Sequence, residues 1–223
     1  MNLLTTTIEP KNKATGSIIW LHGLGASGDD FAPVVPHMQL PDIRFIFPHA
    51  PIRPVTVNGG LEMPAWFDIL SLIDSPDRES LVDIESSAIL LEDIMQKEIE
   101  KGIPSNRIIV MGFSQGGAMA LHVGLRFPQA LLGLVVMSGY LVKPSLLKVE
   151  ESFDNKSVPI LFCHGTRDLV VPYRKGQHAF ETCFNKRRET VLKSYPVGHE
   201  VCMEELADIR LWLHQRYALT DSP

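Results

Sequence analysis

The sequence predicts an α/β architecture, a mostly parallel central sheet with helices on both faces. Apolar β-like runs alternate with helical patterns over most of the 223 residues, the order that parallel sheets require. Several of those runs are apolar at every position, as strands covered on both faces must be. A Gly112-Phe113-Ser114-Gln115-Gly116 pentapeptide joins one such run to an apolar helical stretch. That is the strand–turn–helix context in which a serine is presented at a sheet edge.

The strands are expected at Ser17–His22, Ile43–Pro48, Arg107–Phe113, Leu132–Ser138, Val158–His164 and Thr190–Tyr195. A helix is expected near Asp29–Met38. Over Leu81–Lys101 the residues Ile84, Ala88, Leu91, Met95 and Ile99 form one stripe, with Gly102 as C-cap and Pro104 beyond. A last helix over Met203–Tyr217 places Leu206, Ile209, Leu213 and Tyr217 on one face. Pro51–Asp77 reads as an irregular excursion, because it carries Pro54, Asn58-Gly59-Gly60, Pro64 and Pro76. No repeat or low-complexity linker appears, so residues 1–223 are read as one domain.

Composition narrows the function classes. A hydrophobic share of 45% and a charged share of 21% are those of an ordinary globular chain. The net charge of −5, with no basic stripe, argues against nucleic acid. Cys163, Cys183 and Cys202 have no CxxC spacing and suit reduced thiols in the cytoplasm. Residues Met1–Lys13 lack the apolar core of a signal peptide, and no apolar run reaches the length of a membrane span.

Ser114 sits where two glycines remove the Cβ atoms that would crowd a tight turn. By itself the pattern recurs by chance roughly once in a dozen chains of this length, so its partners decide its meaning. His122, His178 and His214 lie on helical patterns, away from the sheet's carboxyl edge. His199 follows the strand ending at Tyr195 and is the candidate general base. Asp168 follows the strand ending at His164 and can orient the His199 imidazole, whereas Asp154 precedes that strand at the wrong edge. Leu21-His22-Gly23-Leu24-Gly25 follows another strand and offers the Leu24 N–H as an oxyanion donor, with the N–H of Gln115 as the second. The loop lacks the Lys-Ser/Thr ending of a phosphate cradle. Trp66 and Leu70, in the cluster Met63–Ile73, are candidates for an acyl-binding groove, core packing being the alternative.

These motifs together resemble a known family. Leu-His-Gly-Leu-Gly at 21–25, Pro48-His49-Ala50-Pro51, Trp66-Phe67-Asp68, Gly112–Gly117, His164-Gly165 before Asp168, and Gly198-His199 look like the carboxylesterases and acyl-protein thioesterases of the α/β-hydrolase fold. The resemblance runs from about Ile18 to Tyr217. It implies a Ser114–Asp168–His199 esterase with oxyanion donors at Leu24 and Gln115, using no metal or organic cofactor. Asn58-Gly59-Gly60 and Gly198-His199-Glu200-Val201 look more like the bacterial carboxylesterases of that family. The expected substrate is a small ester or lipid-like acyl compound of short to medium chain. Lysophospholipase or protein thioesterase activity on the same residues is the near alternative, and a noncatalytic binding module the distant one. Family members often pair, so a homodimer is possible.

Overall fold

The computed structural model describes residues 3–73, 75 and 77–220. Met1, Asn2 and Pro76, used above, lie outside them. The strands are β1 (Thr5–Ile8), β2 (Gly16–Leu21), β3 (Ile43–Pro48), β4 (Ile52–Val55), β5 (Leu61–Pro64), β6 (Ile108–Phe113), β7 (Gly133–Met137), β8 (Ile160–Gly165) and β9 (Thr190–Tyr195). The α-helices are α1 (Val35–Met38), α2 (Leu81–Glu100), α3 (Gln115–Arg126), α4 (Pro144–Glu150), α5 (Tyr173–Cys183) and α6 (Met203–Thr220).

Seven strands form one sheet in the order β1-β3-β2-β6-β7-β8-β9. Every pairing in it is parallel except β1 against β3. The six expected strands are all present, within two residues at each end. The strand period of two explains why the inner strands are largely apolar, while edge strand β9 carries the exposed Lys193 and Ser194. In β2, Ile19 and Leu21 join the core cluster that includes α2, α3 and α5, while Ile18 and Trp20 join the one that includes α6. In β6, Val110 faces the first cluster and Ile109 and Met111 the second.

Three elements differ from expectation, each for a local reason. β1 reads Thr-Thr-Thr-Ile and is half-exposed at the sheet edge, so it lacks an apolar signature. The Pro51–Asp77 excursion contains an antiparallel hairpin, β4 against β5, with Arg53 opposite Met63 and Pro54 opposite Glu62. Proline inside each strand obscured it, and proline is tolerated because a two-stranded hairpin consists entirely of edges. The helix expected over Asp29–Met38 is a 3₁₀ segment, Gly28–Val34, followed by the single turn of α1. Pro33 and Pro36 there remove the N–H groups that an α-helix would need.

Helix α2 begins where Ser80 Oγ accepts the Asp83 N–H at 3.4 Å. Its inward Glu98 is 1% exposed and is fully paired. Glu98 accepts from Ser17 Oγ and Arg44 Nη1, both at 2.6 Å, and from Lys101 Nζ at 2.9 Å, which ties the helix to β2 and β3.

Glu205, in the first turn of α6, is the opposite case. It has no exposed surface, and against its burial stands only a weak hydrogen-bond contact with the Cys202 backbone. Burial pushes its carboxyl up to about 8. The folded state therefore keeps a proton that the unfolded chain releases between the ordinary carboxylate range near 4.5 and about 8. Stability must fall as pH rises through that window. Glu205→Gln removes the penalty while keeping the shape. In urea unfolding the variant should match the wild type near pH 4.5 and exceed it on the order of 3 kcal/mol at pH 9. A difference that does not change with pH would refute this.

Candidate active site

The polypeptide turns sharply between β6 and α3, and Ser114 occupies the apex with φ 54° and ψ −118°. This is an unfavourable backbone region for a residue with a side chain, typically costing about 1–3 kcal/mol. Two backbone hydrogen bonds hold it there. Ser114 N–H donates to Met137 O at the end of β7 (2.8 Å), and Ser114 O accepts from Ala118 N–H (3.0 Å). The flanking glycines are required by space. A Cβ on Gly112 would lie 2.3 Å from Gly116 O, and one on Gly116 would lie 2.4 Å from Leu21 O.

His199 lies on the loop after β9, its ring against Phe113 with centroids 4.8 Å apart. Its Nε2 is 2.9 Å from Ser114 Oγ and its Nδ1 is 2.7 Å from Asp168 Oδ2. Asp168 sits on the loop after β8 with its carboxylate wholly buried. Burial is tolerable because the charge is well satisfied. Oδ1 accepts the N–H groups of Val170 (2.9 Å) and Val171 (2.8 Å), leaving Oδ2 for His199. His164 braces this turn, since its Nε2 donates to Val171 O at 2.8 Å. The loops carrying Asp168 and His199 are stitched together. Thr166 N–H donates to Tyr195 O (2.7 Å) and Arg167 N–H to Val197 O (3.0 Å).

The Leu24 loop lies against the serine. A Cβ on Gly23 would stand 3.5 Å from Ser114 Cβ. His22 shapes this loop from within the core. Ala50 N–H donates to its Nε2 at 3.0 Å, so Nδ1 carries the proton and donates to Gly23 O at 2.7 Å. Burial lowers the His22 pKa, which favours this neutral ring. On the other side Gln115 is the first residue of α3, so no carbonyl one turn earlier in the helix claims its N–H.

Trp66 departs from expectation. It has no exposed surface and cannot line a groove. Its Nε1 donates to His22 O at 2.9 Å, and its N–H donates to the Gln115 side chain at 2.8 Å. Gln115 Nε2 in turn donates to Phe67 O at 2.8 Å. Trp66 is thus a brace between the His22 carbonyl and the Gln115 side chain, chosen for its indole N–H as much as its bulk. Leu70 lies further along, 45% exposed, with Leu72 and Ile73 still more exposed.

The structure therefore gathers Ser114, His199 and Asp168 into one hydrogen-bonded chain, sets Gly23 against the serine and Gln115 directly after it, and buries Trp66. Sequence reasoning missed His22, His164 and the Gln115 side chain. Their work is hydrogen bonding to main chain, and only the His-Gly dipeptides at 22–23 and 164–165 hinted at it. Among the described residues no group of three or more His, Cys, Asp or Glu side chains is placed to hold a metal ion.

The profile of the phospholipase/carboxylesterase family matches residues 3–216. The chain belongs to that family. It is a serine hydrolase that cleaves esters. Acyl-protein thioesterase 1 of Neurospora crassa is 37% identical over 214 residues, covering 91% of this chain and 87% of that protein. Among solved structures, Arabidopsis thaliana SOBER1 superposes with a TM-score of 0.84 at 31% identity, covering 91% of this chain and 99% of that one. Zea mays acyl-protein thioesterase 2 gives 0.83 at 30% identity, covering 96% and 98%.

Proposed function

We propose that Ser114 is the nucleophile, His199 the general base and acid, Asp168 its orienting carboxylate, and the N–H groups of Leu24 and Gln115 the oxyanion donors. The observation that carries this reading is the double engagement of His199, 2.9 Å from Ser114 Oγ and 2.7 Å from Asp168. Ser114 Oγ attacks the acyl carbonyl while its proton passes to His199 Nε2. The oxyanion forms in reach of the two N–H groups, each typically worth about 3 kcal/mol. His199 then gives the proton to the departing alcohol or thiol, leaving an acyl-serine. Water attacks the acyl-serine, losing a proton to His199, and the carboxylic acid leaves as Ser114 recovers its proton. A fluorophosphonate probe should label the protein at Ser114 alone, and an unlabelled Ser114 would overturn the assignment.

Short to medium acyl esters are the proposed substrates, with Leu70 in the acyl surface. Support comes from the exposed apolar row of Leu70, Leu72 and Ile73, which the core does not use. Leu70→Ser should raise KM for an octanoyl ester about fivefold and leave an acetyl ester unchanged, since each buried methylene contributes about 0.8 kcal/mol. Equal effects on both chain lengths would remove Leu70 from the acyl surface. Thioester cleavage is a second reading, favoured by the relatives named acyl-protein thioesterase. Rates on matched octanoyl oxygen esters and thioesters decide between them.

We further propose one domain over residues 1–223, supported by the continuous family match. Action in the cytoplasm is supported by three unpaired thiols. Among the described residues no helix is long and apolar enough to cross a membrane. A homodimer, proposed on family likeness, is read by light scattering.

A further inference from the structure

We propose that Met63 is a modification site, where a peroxide adds one oxygen to Sδ and thereby slows hydrolysis through the Leu24 loop. The inference rests on the reading of the Leu24 N–H as an oxyanion donor. Accessibility selects the residue. The sequence holds eight methionines. Met38, Met111, Met119 and Met137 have no exposed surface and Met95 has 1%, so dissolved peroxide does not reach their sulfurs in the folded chain. Met63 is half-buried, and Met203, in the first turn of α6, is exposed. Among the described methionines these two alone are open to oxidation without unfolding.

Met63 is joined to the Leu24 loop. It lies on β5 opposite Arg53 of β4, near the base of the hairpin. At that base Gly25 N–H donates to Pro64 O, in the residue after Met63, at 2.8 Å. The Met63 sulfur packs on the same turn, since a Cβ on Gly25 would lie 3.6 Å from Sδ. Gly25 itself has a φ of 72°, a conformation that glycine adopts without penalty. The residue next to Leu24 thus rests on one backbone hydrogen bond and one apolar thioether.

Asn58 supplies a second observation. Its Nδ2 donates to Met63 Sδ at 3.4 Å, in an exposed setting. A thioether is a weak acceptor for such a donor. A sulfoxide oxygen is a strong one, so the amide already stands where it can hold the oxidised form. In the step, the sulfur lone pair attacks the O–O bond of hydrogen peroxide. Sulfur loses two electrons and gains the S=O bond, and the peroxide is reduced to water. The new dipole takes the Asn58 amide and solvent, which turns the sulfur away from Gly25. The Gly25–Pro64 bond then loses its packing, and the Leu24 N–H drifts from the oxyanion. Complete loss of one such donor costs about 10²–10³-fold in kcat, so a displaced one is expected to cost about tenfold.

The test treats the purified protein with hydrogen peroxide and removes the excess with catalase. Dithiothreitol then reduces any oxidised thiol and leaves sulfoxides intact. Peptide mass mapping should find one added oxygen on Met63 and one on Met203. On an acetyl ester kcat should fall about tenfold with KM little changed, and methionine sulfoxide reductases for both epimers should restore it. Met203→Leu should lose activity as the wild type does. Met63→Leu, measured against its own untreated sample, should lose none. An unmodified Met63 beside an oxidised Met203, full activity with Met63 oxidised, or equal losses in Met63→Leu and wild type would overturn the proposal. Failure of the mechanistic reading looks different, because Ser114 of the untreated protein would then escape the fluorophosphonate whatever the state of Met63.

Discussion

Ser114→Ala is expected to lower kcat on a p-nitrophenyl ester by about 10⁴-fold or more, with little change in thermal stability. The two halves of that expectation have separate physical sources. Activity falls because the only atom removed is the Oγ that lies 2.9 Å from His199 Nε2. Stability holds because the backbone strain at φ 54° is borne by the hydrogen bonds to Met137 O and from Ala118 N–H, which alanine keeps. His199→Ala should lose activity by a similar factor. The double variant should be no worse than either single one, because a proton relay missing one member is already broken. Rates that multiplied across the two substitutions would mean that the residues act independently, and the proposed mechanism would fail.

Gly116→Ala is expected to do the reverse damage, striking the fold first and the chemistry through it. The added methyl would stand 2.4 Å from Leu21 O and 2.5 Å from His22 O. Both obstacles are main-chain carbonyls at the end of β2, so neither can rotate away as a side chain would. The elbow must open by a sizeable fraction of an ångström, pushing α3 from the sheet and dislodging Gln115. Destabilisation of about 3 kcal/mol or more follows from overpacking at this depth. A displacement approaching 1 Å at the serine costs on the order of 10²-fold in rate. Urea unfolding and kcat/KM measured together check both. Gly59→Ala is the contrast, because its added methyl meets nothing within 4 Å and only its φ of 69° is unfavourable. That variant should lose about 1 kcal/mol. If Gly116→Ala were as mild as Gly59→Ala, close packing would not be the reason for the glycine.

How much could be read beforehand differed by the kind of interaction. Five of the six expected strands were legible because burial on both faces leaves them mostly hydrophobic, and edge strand β9 through Val191, Leu192 and Tyr195 among polar residues. Ser114, Asp168 and His199 were legible as a set because each stands just beyond the carboxyl end of a strand. The hairpin of β4 and β5 was not, because its alternation is broken by Pro54 and Pro64 and its faces are only partly covered. Trp66 stood open between an acyl groove and core packing for a related reason. Nothing in the pattern shows that its indole N–H reaches His22 O, 44 residues earlier in the sequence. Bonds from side chain to distant main chain leave almost no local trace. Those same bonds, from His22, Gln115 and His164, set the geometry of the loops around the serine.

The stitching of the Asp168 loop to the His199 loop has a consequence for how this chain can change over time. Asp168 and His199 are 31 residues apart, and the polypeptide between them makes a full excursion through α5 before returning. Because the loops are joined directly, by Thr166 to Tyr195 and Arg167 to Val197, the excursion does not have to hold them together. Insertions, deletions or sequence drift at the exposed Lys186-Arg187 turn therefore leave the distance from Asp168 to His199 untouched. The connecting stretch is available as raw material for new surfaces, while the proton path stays under the protection of the sheet.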